Sequence, residues 1–338
     1  MKVSVLVPIY GVDKYIERCT RSLFEQTYPD LEYVFVNDCT PDNSIEVLKK
    51  VMEDYPDKKD AVKIVNHAKN RGLAAARNTA YDNAMGDFVT IVDSDDWLEL
   101  DAVEALVKKQ EETCADVVSG NALMYYPDRV DKHEQPKNKS KEEIVIDRIG
   151  NGWHNVIWGR LIRRAIIEDN HVRALEGCDM AEDKYQMAQI SYYADSFAVC
   201  EKFIYNYERR NNNSIVSYQS KDKTLKNGLQ YLRNDIGLQR FFADKETIYR
   251  EETSKQTMLY AFVILKMVVK YRQKQHFPFV VETIDGTESK FWPLIGWSTK
   301  GMKGFLMHSY CFTWIRLSCQ RLFRFLRREL LQKYIFSE

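Results

Sequence analysis

The chain has 338 residues, 45% hydrophobic and 29% charged, a composition that excludes a disordered or low-complexity polypeptide and gives room for one large domain or two smaller ones. Formal net charge is zero, so no global field draws the molecule to nucleic acid, and none is expected as a partner. The charge is uneven along the chain: Lys300 to Glu338 holds eight basic and two acidic residues, 8 − 2 = +6, which leaves −6 for the rest.

Seven cysteines are scattered without a Cys-x-x-Cys pair or zinc-like spacing, which points to a reduced, cytoplasmic setting. The N-terminal apolar run is short and ends at Pro8, so it reads as a first strand and not as a signal peptide. No run approaches the roughly 20 apolar residues needed to span a bilayer.

Taken in order, Val3 to Ile9 is a β-rich apolar run. Gly11 permits a turn, Asp13 is placed to cap a helix, and Tyr15, Ile16, Cys19, Leu23 and Phe24 recur at helical spacing. Leu31 to Val36 predicts a second strand ending at Asn37-Asp38, and turn chemistry from Cys39 to Ser44 leads into a helix carried by Ile45, Leu48 and Val51. Val62 to Val65 is a third strand, Leu73 to Ala84 an alanine-rich helix, and Phe88 to Val92 a fourth strand. A helix is then expected from Leu98 or Glu99 to about Gln110, followed by a strand over Asp116 to Met124. Strands alternating with helices at this interval imply βαβ units and a mostly parallel sheet flanked by helices.

In open sheets of this kind ligands bind beyond the carboxyl ends of the strands. Tyr10, Asp38 and the tetrad Asp93-Ser94-Asp95-Asp96 all follow strand ends. Three carboxylates within four residues repel one another, and a hard cation such as Mg²⁺ or Mn²⁺ would relieve that repulsion with oxygen ligands. A plain acidic turn with Asp96 capping the next helix fits the tetrad equally well. Asp38 suits either a ribose or base hydrogen bond or an Asx turn, Tyr10 either base stacking or packing, and Arg77 either a ligand or a neighbouring acid. Arg71 and Gly72 open the alanine-rich helix, where backbone N–H groups favour anions. Neither Gly-x-Gly-x-x-Gly nor Gly-x-x-x-x-Gly-Lys-Ser/Thr occurs, which argues against a dinucleotide fold and a P-loop.

Further along, Asp128 to Glu143 is almost devoid of apolar residues and reads as an exposed loop. Trp153 and Trp158 suit either sugar stacking or the core, with the core favoured for Trp158. Glu176, Asp179, Glu182 and Asp183 precede a helical pattern, where a carboxylate serves either as a rigidly held general base or as a favourable charge at the helix start. Phe203 to Tyr207 predicts a strand, followed by Arg209 and Arg210. Residues 221–275 read as helical, and Asp285-Gly286 and Trp292-Pro293 as turns. Cys311 to Ile335 is amphipathic: five arginines share an arc of about 140° at 100° per residue, and aromatics crowd the segment. Such a helix lies on an anionic membrane surface, meets a partner, or packs on its own domain.

Four of these stretches together resemble the family 2 inverting glycosyltransferases. They are Val3 to Tyr10, Val36 to Ser44, Asn70 to Asn78 and Asp93 to Trp97, and their order and spacing match as well. The resemblance is strong over about 2–125 and extends more loosely to about 217 through Trp158 to Leu161, Glu182-Asp183 and Asn213-Ser214-Ile215. Asn37 departs from it, since the family usually has Asp there.

The resemblance implies a Rossmann-like GT-A fold over 1–217 with a helical C-terminal region over 218–338. It implies transfer from a nucleoside-diphosphate sugar, with a UDP-sugar the first expectation. The acceptor would be a glycan or lipid-linked hydroxyl, in bacterial cell-surface polysaccharide synthesis. Pro8 and Tyr10 would line the nucleobase pocket and Asp38 would bond the base. Gly72 and Arg77 would help hold the nucleotide, Asp93 would face ribose or the metal, and Asp95 would ligate Mg²⁺ or Mn²⁺. Asp183 would be the base with Glu182 as its partner, and Arg209 and Arg210 candidates for contacting the diphosphate. Residues 311–335 would then hold a cytoplasmic enzyme peripherally at the inner face of the cell membrane. Two other classes compete: a sugar nucleotidyltransferase, which would want a Gly-rich basic loop after the first strand, and a non-catalytic membrane-associated scaffold.

Overall fold

The structure, a computed structural model, describes residues 1–150, 155–211 and 221–287. Trp153, His154, Asn213-Ser214-Ile215, Trp292-Pro293 and the amphipathic segment 311–335 lie outside the described residues. Contacts within the chain divide it into two units, Met1–Gln219 and Ser220–Glu338.

The first unit is built on one nine-stranded sheet. β1 (Val3–Ile9), β2 (Leu31–Asn37), β3 (Val62–Asn66) and β4 (Phe88–Ile91) pair in parallel in the order β3-β2-β1-β4. The intervening helices are α1 (Ile16–Phe24), α2 (Ser44–Glu53) and α3 (Leu73–Asp82). β1 and β4 are buried along their whole length because both faces are covered, whereas β3, at the sheet edge, is partly exposed. Val5, Val7, Tyr33 and Phe35 enter one core with Ile16 and Leu23, whereas Leu6, Val34 and Val36 enter the other with Ala76, Ile91 and Met187. That is the two-residue alternation of a strand. The alanines of α3 are fully buried, and small side chains let this helix approach β1 and β2 closely.

The other half of the sheet is mixed. β8 (Arg160–Arg163) pairs antiparallel with both β4 and β6 (Val117–Tyr125). β9 (Phe197–Glu208) runs parallel to β6 and carries the two-residue strand β5 (Trp97–Leu98) antiparallel on its far edge. Two register shifts interrupt the β6–β9 pairing, between Gly120 and Asn121 and between Asn121 and Ala122. They offset the strands from 197 − 117 = 80 to 208 − 125 = 83, so β9 accommodates three extra residues. Gly120 lies at the first shift because a Cβ there would sit 2.3 Å from the Ile204 side chain.

Three expectations are corrected. No helix starts at Leu98 or Glu99: those residues pair or lead away from β9, and α4 (Ala102–Thr113) begins after Asp101. The stretch 128–143 is not plain loop. β7 (Val130–His133) hydrogen-bonds to β6, and α5 (Lys141–Ile149) starts from a capping box in which Ser140 and Glu143 satisfy each other's amides. Edge pairing and capping are backbone effects, so they leave little trace in apolar periodicity. Asp13, read as a cap, is not one: α1 is preceded by Tyr15 without a side-chain cap.

The second unit contains α8 (Lys221–Phe241), α9 (Thr247–Lys270) and α10 (Phe277–Asp285), which share a core of Leu229, Leu232, Leu265, Val268 and Val280. No helix among the described residues is long and apolar enough to cross a membrane.

Candidate active site

The parallel strands deliver their C-terminal ends to one rim. Ile9 pairs with Asn37 and Leu6 with Ile91, so Tyr10, Asp38 and the tetrad after β4 emerge together. Pro8 is buried in β1 opposite Val36, and Tyr10 is 51% exposed, available to a planar ligand.

Asp38 is almost fully buried. One oxygen accepts from the Arg71 amide and the other from the Gly72 amide, both at 2.8 Å, and the His67 ring lies 2.7 Å from the first. Asp179 accepts from the Ala74 amide at 3.0 Å. The N-terminus of α3, expected to attract a ligand anion, is thus occupied by the protein's own carboxylates. Gly72 has φ +91°, and an added Cβ would stand 2.5 Å from the Asp179 carboxylate oxygens. The missing Cβ leaves room for the Asp179 carboxylate. His67, which also meets Thr79 at 2.9 Å, carried no signal because a single histidine has no spacing to read.

The tetrad divides in three. Asp96 is completely buried, with the Tyr205 hydroxyl donating to one oxygen at 2.6 Å and the Glu208 amide to the other at 2.7 Å. It fastens β9 instead of capping a helix, which corrects the capping expectation. Burial, reinforced by Asp95 and Asp93, pushes its carboxyl well above the usual range. Asp95 is pushed up to about 6, by burial first and then by Asp93. The Asn211 amide donates to it at 2.9 Å and opposes that shift. Asp93 is partly exposed and accepts from Arg77 at 2.9 Å.

Arg77, expected on the nucleotide, is buried and turned onto three carboxylates. Its guanidinium reaches Asp93, Glu182 at 2.8 Å, and Asp183. Beyond the short α6 (Arg164–Asp169), Glu182 and Asp183 open α7 (Glu182–Tyr193). Burial lifts Glu182 to about 8, with the Asp183 charge adding and Arg77 opposing. Burial likewise raises Asp183, which Arg77 and the Ile157 amide counteract. The proton-accepting candidate and the strand-end acid Asp93 therefore share one cation.

Arg210 and Arg209 part company. Arg210 pairs with Glu208, its Nε at 2.6 Å, whereas the Arg209 guanidinium lies 5.6 Å from the ring centres of both Tyr126 and Tyr207. Glu208 also takes Arg18 from α1 at 3.1 Å, and Arg18 donates to the Asp95 carbonyl at 3.0 Å while stacking over Trp97. Burial alone would raise Glu208, but the bonds from Arg210 and Arg18 outweigh it and hold the carboxyl low. Arg18 and Glu208 are site-lining residues with no sequence signal, since a helix and a strand remote in sequence bring them together. Trp158 stacks on Tyr205 at 4.4 Å in the core, as expected.

Among the described residues no cluster of three or more His, Cys, Asp or Glu has metal-site geometry. Asp95 and Asp93 nevertheless suit a hard cation that keeps waters or takes phosphate oxygens, because two crowded carboxylates, one already driven toward protonation by burial, gain most from such a charge.

Residues 4–170 match the family described as Glycosyl transferase family 2. Among similar proteins, glycosyltransferase GlyA of Streptococcus pneumoniae is 44% identical over 120 residues, 36% of this chain and 16% of GlyA. The uncharacterized glycosyltransferase EpsJ of Bacillus subtilis is 31% identical over 230 residues, 63% of this chain and 62% of EpsJ. The chain thus spans less than two thirds of either relative. Among solved structures, S. aureus TarS 1–349 in complex with UDP superposes with a TM-score of 0.65 at 19% identity, covering 93% of this chain and 88% of that one. The mannosyltransferase PcManGT of Pyrobaculum calidifontis with GDP-Man and Mn²⁺ gives 0.52 at 15% identity, covering 93% and 86%. At such identities the likeness is one of fold, the GT-A fold.

Proposed function

Because this chain belongs to glycosyltransferase family 2, we propose that it is an inverting enzyme moving a sugar from a nucleoside-diphosphate sugar to a hydroxyl acceptor. One observation carries the reading: Arg77 gathers Asp93, from the donor-side rim, and Asp183, about ninety residues later, onto a single guanidinium. A donor seated over Asp93 then presents its anomeric carbon within the domain that holds the base. Asp183 takes the acceptor's proton as that hydroxyl attacks, and the nucleoside diphosphate leaves from the opposite face. Burial serves this role, since a carboxylate with a raised proton affinity is a stronger base.

Asp95 and Asp93 would hold the divalent cation. When bound, it neutralises charge on the departing diphosphate. Tyr10 and Pro8 would meet the nucleobase. Asp38 supports that pocket by fixing the start of α3, and Arg209, without a carboxylate partner among the described residues, is the better placed of the two arginines for a phosphate.

The donor is proposed to be a UDP-sugar, a reading supported by the fold likeness to UDP-bound TarS, and the acceptor a glycan or lipid-linked intermediate in bacterial surface-polysaccharide synthesis. Residues 1–217 would be the catalytic domain and 218–338 a helical region whose basic segment 311–335 rests on the inner face of the membrane.

Thermal shift with UDP, GDP and dTDP, each with and without Mn²⁺, tests the donor half: one nucleotide should stabilise, and only with metal. A donor–acceptor panel read by nucleoside-diphosphate release identifies the substrates. On the active pair, Asp95→Ala and Asp183→Ala should each cost at least ~10²-fold in turnover with the fold intact. Activity surviving both changes would sink the assignment. Cosedimentation with phosphatidylserine vesicles, lost on removal of 311–338, tests the membrane contact.

A further inference from the structure

Arg77 sits at the mid-point of a chain of contacts that no single motif explains. It projects from α3, itself clamped at its start by Asp38 and Asp179. It is 2% exposed, and its two terminal nitrogens are spent entirely on protein: one on Asp93, the other on Glu182 and Asp183. Its Nε is buried with no hydrogen-bond partner. A guanidinium so enclosed does not present a face to a nucleotide. What it does present is a fixed distance between the strand-end acid and the acids of α7.

We propose that Arg77 is a positioning residue that holds Asp183 in register with the donor side through Asp93, and so sets the geometry of proton removal without binding the nucleotide. The inference rests on the function proposed above. Three carboxylates surround one cation, so the side chains could not stay gathered without it. Arg is the residue suited to this task, because its planar fork bonds two partners at fixed angles, whereas Lys offers a single movable charge. Transfer rates are sensitive to ångström-scale misplacement of a base, so loosening this fork should fall on turnover. Glu182 completes the device: it shares a nitrogen with Asp183 and limits the swing of the guanidinium on the α7 side.

The test uses the full chain and the donor–acceptor pair found by the panel. Arg77→Lys keeps the buried charge but not the fork. Expected are a native circular dichroism spectrum, a UDP–Mn²⁺ dissociation constant within threefold of wild type, an acceptor KM within fivefold, and a kcat lowered at least thirtyfold. Loss of UDP–Mn²⁺ affinity by tenfold or more with kcat retained would make Arg77 a nucleotide contact and overturn the inference. Unchanged kcat would overturn it as well. Should Arg77→Lys fail to fold, Arg77→Lys combined with Glu182→Gln removes one buried acid that the lost fork leaves unpartnered. The pair should then fold, bind UDP–Mn²⁺ within threefold and remain slow, and if it turned over at the rate of Glu182→Gln alone, positioning through Arg77 would be refuted. Asp183→Ala separates the two claims. If it is inactive while Arg77→Lys is fully active, the positioning role fails and the base stands. If Asp183→Ala is itself active, the base assignment fails first.

Discussion

With both oxygens committed, one to the Tyr205 hydroxyl and one to the Glu208 amide, Asp96 ties β9 to the strand-end acids. Asp96→Asn supplies one acceptor where two are needed and points an amide N–H₂ at a donor. The expected cost is about 2–3 kcal/mol, read from urea unfolding at constant m. Tyr205→Phe, which keeps the stack on Trp158, should cost about 1 kcal/mol. A change for Asp96→Asn no larger than that of a surface substitution would contradict the structural role. At this scale the sequence identified which residues gather but not what each touches. The tetrad and Asp38 were legible as polar residues after strands, Asp183 as an acid at a helix start, and Arg77 as a charge on the alanine-rich helix. Their partners were not, because hydrogen bonds between residues 16 to 116 positions apart have no local pattern.

Among the elements, α3 depends on Gly72. Alanine there must adopt a φ near +91° that L-residues avoid, and must displace the Asp179 carboxylate. Gly72→Ala should lose about 2–4 kcal/mol, combining backbone strain with a lost cap at Ala74, measurable as a lowered urea midpoint. Just before β6, at the rim opposite the strand-end acids, Asp116 accepts from Arg163 of β8 at 2.7 Å and from the Asp195 amide, ahead of β9, at 2.9 Å. Burial would raise its carboxyl, but these bonds outweigh burial and hold it below the usual value. The unfolded chain, with Asp near 3.9, takes up the proton first. Its contribution is therefore complete above about pH 4 and lost as pH falls through the folded value. Asp116→Asn should flatten the acid limb of stability below about pH 4, which equilibrium unfolding at stepped pH would reveal. Periodicity read β1 to β4 to within a residue at either end, because buried parallel strands are continuous apolar runs. It missed β5 and β7, two and four residues long, which edge pairing creates, and β8, four residues long between β4 and β6.

For the whole molecule, the division at Gln219 predicts that a chain ending there unfolds in one cooperative transition and keeps its response to nucleotide and Mn²⁺. A truncated protein that exposes apolar surface, scored by dye binding, would show that the first unit leans on the second. The α/β class and the shared rim were open to sequence reasoning because alternation of element types fixes a parallel sheet and its ligand-binding edge. The mixed half of the sheet was not, since strand order beyond β4 depends on long-range pairing that local pattern does not encode.

The offset of three between β6 and β9 has a consequence for how this chain can change length. Because three is odd, the bulged segment inverts which side of the sheet each later residue of β9 faces. Tyr205 meets Asp96 only because of that parity. Deleting Lys202 alone would exchange the faces of Tyr205 and Asn206 and uncouple the strand from the acids, whereas removing two residues from 201–203 would restore the facing with a tighter bulge. Insertions and deletions here are therefore expected to survive in pairs, a rule that a library of one- and two-residue deletions scored for soluble protein would expose.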